Sequence, residues 1–124
     1  MPSVKHDSKK VAATEEEILK YLNQIFLLPI KCKNGARFVF SAELMARMNA
    51  VLSVLQSDTD LKMSIVDAES KLIEVNFGVL QSYISEINTA AGNRYASASA
   101  EMAEFVKRGV TIRDLHKWEK SYEN

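Results

Sequence analysis

The sequence predicts an α+β fold: a small antiparallel sheet of two β-hairpins packed against helices, with one long helix and short terminal helices. Three observations carry this. Apolar residues recur every three or four positions in several stretches. Asn34-Gly35 and Asp67-Ala68-Glu69-Ser70 punctuate two pairs of short alternating runs. Thr14, Ser41 and Thr111 stand where helices should start.

Thr14 followed by Glu15, Glu16 and Glu17 forms a capping box, with acids placed to suit the helix dipole. A first helix is expected from Glu15 to about Phe26, with Ile18, Leu19, Leu22, Ile25 and Phe26 on one stripe and Pro29 stopping it. Pro29 to Lys33 and Ala36 to Phe40 then read as two strands joined at Asn34-Gly35. Both turn residues tolerate positive φ, so a type I′ turn is expected. Ser41 caps a second helix carrying Leu44, Met45, Met48, Val51, Leu52 and Leu55, ending near Gln56.

Ser57 to Asp60 is a turn cluster. A strand over Leu61 to Val66 and another over Lys71 to Asn76 make the second hairpin. From Phe77 the helical period returns through Leu80, Ile84, Ile87, Ala91, Tyr95, Ala98, Met102 and Phe105, as one helix or two collinear ones. Gly92-Asn93 is the expected place for a break or kink. Gly109 is placed as a C-terminal cap, and Thr111 with Asp114 opens a last helix holding Leu115 and Trp118. The order hairpin, helix, hairpin, helix has a loose twofold rhythm without sequence repetition.

The chain has 124 residues, 47% of them hydrophobic, which suits one domain over 14–124 behind a polar, mobile tail over 1–13. Sixteen basic residues balance sixteen acidic ones, so no global field draws the protein to nucleic acid or to an anionic membrane. The longest apolar run, Ile25 to Ile30, is too short to span a bilayer. No membrane partner and a cytoplasmic location are therefore expected.

The residues that could carry chemistry read as structural. Cys32 stands alone and alternates into a strand face as a half-buried thiol. His6 and His116 have no companions spaced for a metal. Glu101 and Glu104 have the ordinary three-residue spacing of an exposed helix face. Lys5, Lys9 and Lys10 lack aromatic interleaving and read as a solubilising tail, while Trp118 beside Lys117 and Lys120 reads as an anchor for the last helix. No catalytic residue, metal or cofactor is assigned, and an enzyme is not expected.

The second half of the long helix, Tyr95 to Ala103, is rich in small side chains that let another backbone approach. Two readings follow: the helix projects and packs on a partner or a symmetry mate, or the first and last helices cover it. The first places an interaction surface at Tyr95, Ala98, Met102 and Phe105.

The string from Asn34 to Ala50 resembles a small domain of unknown function found in tail-fibre and tail-assembly proteins of tailed bacteriophages. A short strand ending in an aromatic leads into a helix of apolar and small residues. The similarity continues more loosely through Leu61 to Asn76, the helix from Leu80 and the opening at Thr111, about three quarters of the chain. The resemblance implies a phage or prophage protein with a non-catalytic role in building or attaching part of a tail. Its expected partners are tail components or further copies of itself, in the bacterial cytoplasm or the virion. Two other classes fit the same compact chain: a phage- or plasmid-encoded inhibitor that binds a host protein, for example one used in defence, and a small nucleic-acid-binding regulator.

Overall fold

The computed structural model describes residues 12–123, and they form an α+β chain. Most of the tail expected over 1–13, with Lys5, His6, Lys9 and Lys10, lies outside the described residues. The order is α1 (Glu15–Phe26), β1 (Ile30–Lys31), β2 (Arg37–Phe38), α2 (Ala42–Gln56), β3 (Met63–Val66), β4 (Leu72–Val75), α3 (Phe77–Arg108) and α4 (Ile112–Ser121).

The helix starts follow local chemistry. Thr14 Oγ1 accepts from the Glu17 amide at 3.1 Å, and the Glu17 carboxylate accepts from the Thr14 amide at 2.8 Å, closing the capping box. Ser41 Oγ accepts from the Leu44 amide, Asn76 Oδ1 from Val79 and Thr111 Oγ1 from Asp114. Gly109, at φ +82°, ends α3 with its amide bonded to the Phe105 carbonyl at 2.8 Å. α3 is one long helix, the first of the two alternatives, and is uninterrupted through Gly92 and Asn93, the place expected for a break or kink. Apolar anchors flank that position, with Ile87, Ala90 and Ala91 on one side and Ala98 on the other. Their burial outweighs the roughly 1 kcal/mol that one glycine costs a helix interior.

Within the span expected as one domain, the chain groups into two compact units, divided at Leu28/Pro29 and Asn93/Arg94. The central unit, 29–93, holds both hairpins, α2 and the first half of α3. Its core comprises Ile30, Cys32, Phe38, Leu44, Met48, Leu55, Val75, Leu80, Tyr83 and Ile87. The terminal unit holds α1, the second half of α3 and α4 around Ile18, Leu22, Ile25, Ala98, Val110, Leu115 and Trp118. Ahead of α1, Ala12 bridges to Thr111 and the Ala13 amide bonds to the Val110 carbonyl at 2.7 Å.

The hairpins form two separate two-stranded sheets, not the single sheet expected. The outer edge of β2 meets the turn of the second hairpin instead of a strand. The Arg37 carbonyl accepts from the Ala68 amide at 2.6 Å, so the ladder does not extend from one hairpin to the other.

The first turn also differs from the type I′ expected. Gly35 has φ +94°, whereas Asn34 is not in the positive-φ region. The Gly35 amide bonds to the Cys32 carbonyl at 2.9 Å and the Cys32 amide to the Ala36 carbonyl at 2.7 Å. This is a three-residue loop, a turn followed by one left-handed residue. Asn34 then serves through its side chain: Oδ1 accepts from the Ala36 amide at 3.1 Å, and Nδ2 donates to the Tyr83 hydroxyl.

The second hairpin repeats this loop 35 positions on. Asp67 pairs with Lys71 as Cys32 does with Ala36, and Ser70 donates to the Asp67 carbonyl as Gly35 does to Cys32. The strand pairs Ile30↔Phe38 and Lys31↔Arg37 recur as Ile65↔Ile73 and Val66↔Leu72. The helix caps Ser41 and Asn76 keep the same offset. The twofold rhythm of the sequence is thus a repeat of two ββα motifs in one register, although only Ile30 and Ile65 match in identity among the strand pairs.

Candidate functional site

The side chains expected to form an interaction surface lie in the terminal unit. Ala98 is fully buried, and Met102 and Phe105 are half-buried against its core. Phe105 meets Trp118 edge-on at 5.0 Å. Tyr95 stacks on Phe26 at 5.1 Å yet stays 61% exposed. Ala98, Met102 and Phe105 therefore pack with residues of α1 and α4 within their own unit, while Ala96, Ser97, Ala100 and Ala103 are exposed. Arg94 continues this packing, donating through Nη1 to the Leu28 carbonyl at 2.7 Å and the Ile25 carbonyl at 3.2 Å.

The titratable groups are engaged structurally. Burial, with Glu86 nearby, pushes the Cys32 thiol up to about 11. The Glu101 carboxylate accepts from Trp118 Nε1 at 3.1 Å and from the Tyr122 hydroxyl, and both Glu101 and Glu104 are exposed. Burial raises the Tyr122 phenol, and the hydrogen bond to Glu101 adds to it. His116 Nε2 lies 3.0 Å from the Tyr21 hydroxyl. Asp67 is buried, and its Oδ1 accepts from the amides of Lys71 and Glu69, each at 2.9 Å. The Lys71 amide, foremost, holds its carboxyl below the ordinary range, with those of Glu69 and Arg37 contributing. Among the described residues no group of three or more His, Cys, Asp or Glu could hold a metal. No helix there is long and apolar enough to cross a membrane.

A surface cleft lies in the central unit, between α2 and β3. Leu44, Arg47, Met48 and Val51 form one helical stripe, and they face Ser64, Ile65, Val66 and Asp67 across a cleft of about 340 Å3. An adjoining cleft shares Leu44, Arg47, Val66 and Asp67 and continues to Phe38 and Val39. Three consecutive residues of β3 and Asp67 just after it line the first cleft, so the edge of β3 forms its wall.

Hydrogen-bond geometry decides which backbone groups face that edge. Asp67 bonds to Lys71, and antiparallel pairs alternate. Ile65↔Ile73 and Met63↔Val75 are therefore bonded pairs, while Ser64 and Val66 turn N–H and C=O outward. On the outer face of the hairpin, Val66 and Leu72 stand directly opposite each other, 54% and 75% exposed. Arg47 at the rim is paired with Glu43 at 3.6 Å, both side chains mostly in solvent. Periodicity predicted the helix and the strand but not this groove, because only the third dimension sets a strand edge beside a helix.

A second surface is charged. Arg113, His116, Lys117 and Lys120 recur at three and four along α4, all exposed, and line a shallow hollow with no acidic residue in its lining. They lie opposite Leu115 and Trp118, which face the core. Comparison of the chain with protein-family models, with curated proteins and with solved structures finds no match.

Proposed function

We propose that the protein is a non-catalytic structural or assembly protein of a bacteriophage tail or tail fibre that acts through protein–protein contacts. The observation that carries this is the uncovered Val66–Leu72 pair, an apolar cross-strand contact left in solvent on a short two-stranded sheet. Phe40, Val54 and Val79 add exposed apolar surface in the same unit. The setting in a phage tail comes from the resemblance of Asn34 to Ala50 and the element order that follows.

Light scattering and co-purification from phage-infected or prophage-induced cells test the reading. A defined oligomer or recovery of tail proteins is expected, with Val66→Lys and Leu72→Lys weakening it. A monomer at high concentration that recovers no phage structural protein overturns it. Recovery of a single host protein instead favours an inhibitor.

The basic face of α4 favours a second reading, a nucleic-acid-binding regulator. That reading expects salt-sensitive DNA binding, lost on Lys117→Glu with Lys120→Glu. Unchanged binding in the double variant sinks it.

A further inference from the structure

We propose that the groove between α2 and β3 takes an extended segment of a partner polypeptide, which adds to β3 as a third strand. This deepens the reading of the protein as a binding protein and rests on it. The outward N–H and C=O of Ser64 and Val66 offer two residues of unused ladder, and among the described residues no hydrogen bond occupies them. An added strand takes both in one register. Its side chains alternate, so every second one points at the stripe of Leu44, Met48 and Val51, which selects apolar residues there.

Charge fixes the rest of the occupant's chemistry. Arg47 lines both clefts, and its ion pair with Glu43, which lines the adjoining one, is solvent-exposed and readily exchanged. Asp67, the acid in the lining of the first cleft, is already engaged by backbone amides. A carboxylate on the incoming segment therefore meets a cation at Arg47. The partner is an extended segment with apolar residues at alternate positions and an acidic residue or C-terminal carboxylate beside them.

The direct probe is a random twelve-residue peptide library selected on the full chain, with the enriched peptides then titrated by calorimetry. Enriched sequences are expected to alternate apolar residues and to carry an acid. Val66→Pro removes an outward donor without touching a β3–β4 bond and is tolerated at an edge, so it is expected to weaken binding roughly ten-fold at unchanged circular dichroism. Val51→Arg, which fills the helical side, is expected to weaken the same peptides. Arg47→Glu is expected to switch the preference from acidic to basic peptides. Failure to enrich any alternating sequence, or peptides that bind Val66→Pro and Val51→Arg as tightly as the parent, overturns the groove. Co-purification of tail proteins unaffected by Val66→Pro would also overturn it while leaving the broader reading standing.

Discussion

Ser70 occupies in the second hairpin the left-handed position that Gly35 holds in the first, at φ +62° against +94°. The two loops share their backbone hydrogen bonds, so the left-handed residue can be compared at one equivalent site. A left-handed conformation costs an L-residue about 1–2 kcal/mol, partly offset for glycine by the entropy it loses on folding. Ser70→Gly is expected to stabilise the protein by about 0.5 kcal/mol and Gly35→Ala to destabilise it by about 1 kcal/mol. Urea denaturation followed by circular dichroism checks both signs, and a loss of stability in Ser70→Gly would contradict the strain argument.

Gly92 offers the opposite case. It lies inside α3 in ordinary helical backbone, and a Cβ built there meets nothing within 4 Å. Gly92→Ala is expected to stabilise by about 0.5–1 kcal/mol, read as a rise in the urea midpoint.

Ala98 is the small residue of α3 that packs into the core of the terminal unit, with no exposed area. Ala98→Leu is expected to destabilise by about 1–3 kcal/mol through overpacking. Tyr95→Ala, at a stacked but largely exposed ring, is expected to cost less than Ala98→Leu in the same thermal melt.

Arg94 holds the end of α1 by donating to the carbonyl of Ile25, which also accepts from the Leu28 amide at 3.1 Å, and to that of Leu28 just beyond the helix. Arg94→Met keeps most of the aliphatic stem and removes the donors. It is expected to cost about 2 kcal/mol, with amide exchange rising first in the last turn of α1.

The acid limb of stability depends on Asp67, whose carboxyl is held low by the amides of Lys71, Glu69 and Arg37. A lowered folded value means the contribution is full above the ordinary carboxylate range near 4 and disappears as pH falls through the folded value. Asp67→Asn is expected to flatten that fall, and Asp114, lowered chiefly by the Thr111 amide, supplies a second part of it. At the alkaline end the sign reverses for Cys32. Its thiol ionises near 8.5 in the unfolded chain but at about 11 when folded, so stability declines as pH rises between them. Iodoacetamide at pH 8 is expected to label Cys32 only on unfolding, and labelling at the rate of a free thiol would contradict its burial.

What could be read from the chain was what is decided within a few residues. The Thr14–Glu17 and Thr111–Asp114 boxes, the Ser41 cap and the Gly109 stop each rest on contacts of three or four positions, and each stands where the sequence put it. The turn at Asn34 was misread because Asn-Gly permits two loop lengths, and the bond from the Asn34 side chain to Tyr83, 49 residues away, accompanies the longer one. The separation of the hairpins turns on Ala68 meeting Arg37, and the groove on α2 lying beside β3. Neither relation has a local signature.

Trp118 is the chain's single tryptophan, and it sits in the core of the terminal unit against Phe105 and Glu101. Its emission therefore reports on one half of the molecule, while the central unit holds one of the four tyrosines, Tyr83, and contributes to the backbone signal. A single urea titration followed by tryptophan emission and by circular dichroism becomes a cooperativity measurement: coincident curves mean one unfolding species, and displaced curves assign the weaker half without any labelling.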